Sequence, residues 1–193
     1  VIVSCACFIL AGGKSSRFGT NKSLALVNSY PMAKIVASNM QSGFGVEVKL
    51  IGADQQTSLL VGLETFNGYR EGNGPLAAII DAMEVSEQEL VAFAPNDTPF
   101  FTASNFGTLL VDMEDPNVDV AVAVDETDLT RAHWLLSVWR KSTCLPKLLA
   151  EYDRGERSIH GAVKGLNIAS VAYGATSVRN INAVTDLPDR GTI

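Results

Sequence analysis

At 193 residues the chain has the length of one ordinary domain, able to bury about 70% of the surface its unfolded form exposes without a covalent staple. Its net charge of −6, from 21 acidic against 15 basic residues, excludes a broad nucleic-acid surface, because phosphate backbones are held by Lys and Arg spread in excess along a face. Three cysteines and two histidines without metal-ligand spacing exclude a disulfide framework and a structural zinc site, and a reducing cytoplasm suits them best.

Residues 1–13 are apolar, yet they lack a basic n-region and run into a loop instead of a small-x-small cleavage site, so they read as a buried strand and not as a signal peptide. No other segment approaches the roughly 18 uninterrupted apolar residues of a membrane span. The first strand is expected over Ser4–Leu10, with Cys5 and Cys7 on alternate faces. Pro31 suits a first helical position, and Ile35, Val36, Ala37 and Met40 mark a helix that Gly43 and Gly45 should end. Val46–Ile51 reads as a second strand and Gln55–Gly62 as a weaker helix. The polar stretch Asn67–Gly74 fits neither period. Pro75 opens a helix carrying Leu76, Ile79, Ile80 and Met83 at helical spacing.

Leu90–Ala94 is a short buried strand that stops at Pro95-Asn96-Asp97-Thr98-Pro99-Phe100. A helix capped by the Thr102 hydroxyl should follow. Val118–Val124 and His133–Trp139 read as strands on either side of an acidic turn, then come a helix over Leu145–Tyr152, an amphipathic stretch at Ile159–Val163, and strands at Ile168–Tyr173 and Val178–Ile181. The alternation of apolar runs with helical patterns predicts a single α/β domain over residues 1–193, with a mainly parallel sheet flanked by helices.

The stretch Ile9-Leu10-Ala11-Gly12-Gly13-Lys14-Ser15-Ser16-Arg17-Phe18-Gly19-Thr20-Asn21-Lys22 points to polyphosphate. Glycine reaches positive φ without strain, so Gly12 and Gly13 can turn sharply after a strand and bring N–H groups against phosphate oxygens, while Arg17 and Lys22 supply charge. The Walker A pattern fails, since its first glycine falls on Phe8, and the glycine spacing does not match the dinucleotide fingerprint. In an open α/β sheet ligands sit beyond the carboxyl ends of the strands, where both the glycine loop and Asp97 are expected. Asp97 could ligate magnesium, which accepts one carboxylate with phosphate oxygens and water, or it could cap a turn between prolines. Asn180 and Asn182, two apart on an expected strand, could both face one site as neutral ligands, or form a polar edge pair. Arg131 and His133 share that spacing and could bind an anionic second substrate or stand solvated. His160 reads as a surface or satisfied core histidine.

These motifs resemble those of the molybdenum cofactor guanylyltransferases, the MobA type, within the nucleotidyltransferase superfamily. The matches are Leu10–Gly19 with Lys22, Gly74-Pro75-Leu76-Ala77, Pro95–Phe100, Arg131-Ala132-His133, a Leu148–Glu156 helix running into Arg157, and Asn180-Ile181-Asn182. The resemblance implies a Rossmann-like nucleotidyltransferase fold and GMP transfer from GTP to molybdopterin with Mg2+, giving a guanine dinucleotide cofactor and pyrophosphate. It places Leu10, Ala11, Gly12, Gly13, Lys22, Asn67, Gly74 and Asp97 at the nucleotide, Asp97 and Asn182 at the metal, and Arg131, His133, Asn180 and Asn182 toward molybdopterin. Arg17, Lys22 and Asp97 become the expected catalytic groups. It implies no nucleic-acid or membrane partner and leaves room for proteins of cofactor biosynthesis. The chain departs from the family at Asn21 and Asn67, where acids are usual, and at Trp134, where the family has proline. Those departures keep two alternatives open: another substrate pair, such as CTP with the cofactor or a nucleoside triphosphate with a sugar phosphate, and a homologue that binds nucleotide without catalysis.

Overall fold

The computed structural model describes residues 5–12, 22–70, 72–182 and 186, and of Lys22 the backbone alone. The strands are β1 (Cys5–Leu10), β2 (Leu26–Val27), β3 (Tyr30–Pro31), β4 (Val48–Ile51), β5 (Thr65–Phe66), β6 (Leu90–Pro95), β7 (Val120–Asp125), β8 (Asp128–Arg140) and β9 (Ile168–Tyr173). The α-helices are α1 (Met32–Phe44), α2 (Gln55–Val61), α3 (Gly74–Val85), α4 (Ala103–Asp112), α5 (Lys141–Asp153) and α6 (Ile159–Ala162). Seven strands form one sheet in the order β5-β4-β1-β6-β8-β7-β9, and β2 and β3 form a separate hairpin.

Parallel pairing joins β5, β4, β1 and β6, and β7 pairs in parallel with β9. Only β8, inserted between β6 and β7, runs antiparallel to both neighbours. The chain steps outward from β1 to β4 and β5, then returns to lay β6 on the other flank of β1, so strand order reverses between β1 and β6. That reversal opens a crevice at the carboxyl edge of the two central strands.

Both faces of the sheet are covered, which is why its central strands are apolar throughout instead of alternating with polar residues. Cys5, Cys7 and Ile9 of β1, with Ala92, Ala94, Ala121 and Ala123, pack toward α1 and α4. Phe8, Leu10, Val91, Phe93, Val120 and Val122 pack toward α3, α5 and α6. The small side chains on the first face leave room for an aromatic cluster, in which Phe101 meets Phe106 at 4.7 Å and Tyr173 at 4.9 Å between ring centroids. The Tyr173 hydroxyl donates to the Asn105 carbonyl at 2.9 Å, so its polar end is satisfied inside that cluster.

Several expectations need correction. Cys5 and Cys7 share one face, since residues two apart on a strand must point the same way. Pro31 is the residue before α1, with ψ 133, and belongs to the hairpin instead of the helix. Gly43 does not end α1. The helix runs through it to Phe44 and stops at Gly45, whose φ of 69 only glycine adopts cheaply. A Cβ on Gly43 would lie 2.6 Å from the Ala103 carbonyl oxygen, so the glycine serves close helix packing against α4. The second strand starts at Val48, α5 starts at Lys141 and stops at Asp153, and β8 reaches back to Asp128.

Val178–Ile181 is not a strand. After β9 the chain turns, with Ser177 N donating to Gly174 O at 2.8 Å, and runs back toward β6. Ile181 N donates to Asp97 O at 2.9 Å, and the Ile181 side chain is fully buried with Val27 and Met32. A short apolar run is held here by burial and one backbone hydrogen bond to the β6 loop, without pairing into either sheet.

Among the described residues, no helix is long and apolar enough to cross a membrane.

Candidate active site

In the parallel register of β1 and β6, Leu10 stands opposite Pro95. The pairing runs one step further, with Asn96 N donating to Leu10 O at 3.3 Å, and on the other flank Ala11 N donates to Ile51 O at 3.0 Å. Ala11 and Gly12 therefore leave the sheet beside Asn96 and Asp97, at about the 4.8 Å interstrand spacing. Gly12 also lies against Gly52, where an added Cβ would come 3.3 Å from the Gly52 carbonyl oxygen, so a side chain there would wedge the β1 and β4 loops apart.

Gly13 and Arg17 lie outside the described residues, as does Asn21. The Lys22 backbone begins a 3-10 turn over Lys22–Leu24. The next residue, Ser23, is fully buried and accepts a 2.6 Å hydrogen bond from Asn96 Nδ2. The end of the glycine loop is thereby tied to the residue preceding Asp97. Lys22 and Asp97 share one edge of the sheet.

Asp97 is buried, with 7% of its surface exposed, and its Oδ1 accepts from Asn180 Nδ2 at 3.2 Å. Asn180 reaches it because the segment after β9 crosses back to the β6 loop, and not because of strand alternation. Asn182 lies two residues further along the same segment. It is exposed, and its backbone N donates to Asp186 Oδ2 at 2.8 Å.

Arg131 and His133 occupy the half of β8 that extends past its last pair with β6, Phe93 with Ser137. They stand on the hairpin formed with β7, where His133 pairs with Ala123. Burial lowers the His133 pKa below its ordinary value, Arg131 lowers it further, and Asp125 opposes both. The Asp125 carboxylate accepts from Thr127 Oγ1 at 2.7 Å, and its hydrogen bonds to Thr127 hold its pKa down. This hairpin offers a neutral imidazole beside a guanidinium, a combination that suits a phosphate or another polyoxygen anion. His160 is exposed on α6.

Asn67 and Gly74 bound the loop between β5 and α3, and both are exposed. Gly74 has φ +85 with nothing within 4 Å of an added Cβ, so its backbone conformation and not crowding calls for glycine.

Magnesium needs hard oxygen donors and accepts a single protein carboxylate when phosphates and water complete its shell. Among the described residues no group of three or more His, Cys, Asp or Glu could hold a metal alone. Asp97, oriented by Asn180 at the strand edge, fits the one-carboxylate arrangement.

Three features of this edge escaped sequence reasoning. Asn96 lay inside a recognised motif without a role of its own, and Asp186 was passed over beside the asparagines. Asp81 gave a readable signal, a lone carboxylate among Leu76, Ile79, Ile80 and Met83 on α3, and it is 1% exposed.

A family model of the MobA-like NTP transferase domain matches residues 7–166. The chain belongs to that family. It is similar to a Deinococcus radiodurans protein named "probable molybdenum cofactor guanylyltransferase", at 30% identity over 182 residues covering 94% of this chain and 91% of the relative. A molybdenum cofactor guanylyltransferase of Pasteurella multocida is 29% identical over 184 residues, covering 93% of this chain and 95% of its own. Among solved structures, the molybdopterin-guanine dinucleotide biosynthesis protein A of Archaeoglobus fulgidus superposes with a TM-score of 0.75 at 18% identity, covering 94% of each chain. A nucleotidyl transferase from Methanothermobacter gives 0.76 at 12% identity, covering 94% and 93%. As a MobA-like chain this protein is a nucleotidyltransferase.

Proposed function

We propose that the protein transfers GMP from GTP to molybdopterin or its molybdenum-bearing form, with magnesium. The observation that carries this reading is Asp97, a carboxylate oriented by Asn180 at the reversal point, joined through Asn96 and Ser23 to the turn that begins at Lys22. The substrates come from the full-length similarity to the named guanylyltransferases.

In the proposed reaction an oxygen of the molybdopterin phosphate attacks the α-phosphorus of GTP. A new P–O bond forms as the bond to the β-phosphate breaks, and pyrophosphate departs with the electron pair. Asp97 would hold the metal with Asn182 nearby, and magnesium bound there would neutralise phosphate charge. Asn180 keeps the Asp97 carboxylate from rotating. Lys22 and Arg17 would offset charge building on the leaving pyrophosphate, and Gly12 lets the backbone approach the nucleotide. Arg131 and the neutral His133 would bind the incoming anion, whose approach to a polyphosphate is opposed by like charge. Catalysis is then positioning and charge neutralisation, without a covalent protein intermediate.

Asn67 and Trp134 favour one second reading, the same transfer with a different nucleotide or acceptor. Trp134 sits where β8 bulges away from β7 and packs toward Trp139 at 6.4 Å between ring centroids. Pyrophosphate release measured with GTP, CTP, UTP and ATP, each with magnesium and molybdopterin, tests both. Release confined to GTP supports the guanylyltransferase reading, release confined to another triphosphate replaces it with the second, and none with any triphosphate removes both.

A further inference from the structure

Arg70 fastens the loop between β5 and α3 to helix α3. Arg70 N donates to Asp81 Oδ2 at 2.9 Å, and its guanidinium bonds the other oxygen of the same carboxylate and Glu84 Oε2 at 2.7 Å. The Arg70 carbonyl accepts from both Asn73 N and Asn73 Nδ2 at 3.2 Å. The guanidinium also lies 5.7 Å from the centroid of the Tyr152 ring, whose nearer cation is Arg157 at 3.9 Å. Gly68 completes the fastening, because any Cβ there would fall 2.0 Å from Asp81 Oδ2.

A carboxylate buried this deeply is costly unless it is paired and hydrogen-bonded, and both of its oxygens are used to hold this loop. Gly52 N donates to Phe66 O at 3.1 Å, so the end of β5 abuts the β4 loop, which in turn touches Gly12. The chain after Phe66 thus leaves the sheet at the same edge as Gly12, on the β1 side away from Asp97. Loops of this polarity fray unless something anchors them.

We infer that Arg70, gripped by Asp81 and Glu84, is a positioning residue that sets residues 67–70 and 72–74 for recognition of the nucleotide. This rests on the reading of the crevice as the nucleoside triphosphate site. Arg70 touches no reacting atom, so its loss should act on nucleotide affinity and selectivity while the phosphoryl-transfer groups around Asp97 keep their arrangement.

The test measures binding of GTP, CTP, UTP and ATP with magnesium to the unaltered protein, then steady-state kinetics of the unaltered protein and of Arg70→Met, Arg70→Lys and Glu84→Gln with each triphosphate that binds. Arg70→Met should raise KM for the preferred triphosphate about tenfold to a hundredfold, the scale of an ångström-level misplacement. Its kcat should stay within about threefold, its KM for the second substrate should not move, and its discrimination among bases should weaken. Arg70→Lys should recover only part, since one ammonium cannot grip two carboxylates as a fork does. Glu84→Gln, altered at the more exposed partner, keeps the Asp81 bonds and covers the case in which Arg70→Met does not fold, with a smaller KM rise in the same direction. A lower unfolding midpoint with KM unchanged in the folded variants would reduce Arg70 to a structural brace and overturn the inference. An unaltered protein that binds none of the four triphosphates would instead remove the nucleotide reading and this inference with it.

Discussion

Asp97→Asn separates charge from shape at the centre of the site. The amide has the carboxylate's outline, its oxygen can still accept from Asn180 Nδ2, and the backbone bond from Ile181 N to Asp97 O is untouched. Exchanging a charge-assisted hydrogen bond for a neutral one costs about 1 kcal/mol, small against a domain stability of roughly 5–15 kcal/mol. Fully buried Ile181 still pins the returning segment. Folding should therefore survive. Removing a preorganised electrostatic group at a phosphoryl centre costs about 3–4 kcal/mol of transition-state stabilisation, or roughly two to three orders of magnitude in turnover. The assay is pyrophosphate release at saturating substrates, paired with a urea midpoint on the same preparation. A variant with turnover within about threefold of the unaltered enzyme, at unchanged stability, would refute the placement of Asp97 at the metal-bound phosphates.

Gly43→Ala sets helix propensity against packing. Alanine gains about 1 kcal/mol of propensity, but its Cβ would meet the Ala103 oxygen at 2.6 Å and the Phe106 Cβ at 2.7 Å, so overpacking of about 1–3 kcal/mol should win and lower the urea midpoint. Burial pushes the Cys144 thiol up to about 12 and raises the Cys7 thiol as well. Both stabilise the fold fully below the ordinary thiol value near 9.0; Cys144 loses that contribution as pH climbs toward 12 and Cys7 as pH rises toward its own raised value, so the midpoint at pH 10.5 should fall below that at pH 8, and Cys144 should resist alkylation until the protein unfolds. His133 should titrate below 6.5 by NMR, its midpoint rising in Arg131→Ala and falling further in Asp125→Asn. Because its folded pKa is depressed, the stability it contributes is present above 6.5 and is lost as pH drops through the folded value.

The sheet and its helices were legible because buried parallel strands and amphipathic helices leave strong periods in sequence. Ile168–Tyr173 has the expected bounds, and Thr102 caps α4, with its hydroxyl accepting from Asn105 N at 3.4 Å. The elements that went unread are those with too few residues to show a period, the β2–β3 hairpin and β5. Asn28 and Ser29 make the hairpin turn with φ of 48 and 69, a conformation that Asn favours but that Ser does not announce. The 178–181 segment misled in the opposite way. Its valine and isoleucine are buried as a strand's would be, yet the segment pairs with no strand among the described residues.

At the crevice, glycines and carboxylates at strand ends were visible as motifs, and the position of Asp97 beside Ala11 and Gly12 follows from the topology that the alternation of strands and helices implied. Contacts between distant segments were not visible. Ser23 meets Asn96 across 73 positions and Asn180 meets Asp97 across 83, distances over which sequence pattern carries no geometric information. Arg70 was hidden because the polar stretch around it has no period, while its anchor Asp81 stood out only as a charge inside an apolar helix.

The bond between Asn180 and Asp97 has a consequence for synthesis. Residues up to about 173 contain every strand of the seven-stranded sheet, so all of its strands are synthesised before Asn180. The partner that orients the central acid is translated only afterwards. A chain cut short at that stage would hold every strand of the sheet but lack the amide that donates to Asp97 Oδ1.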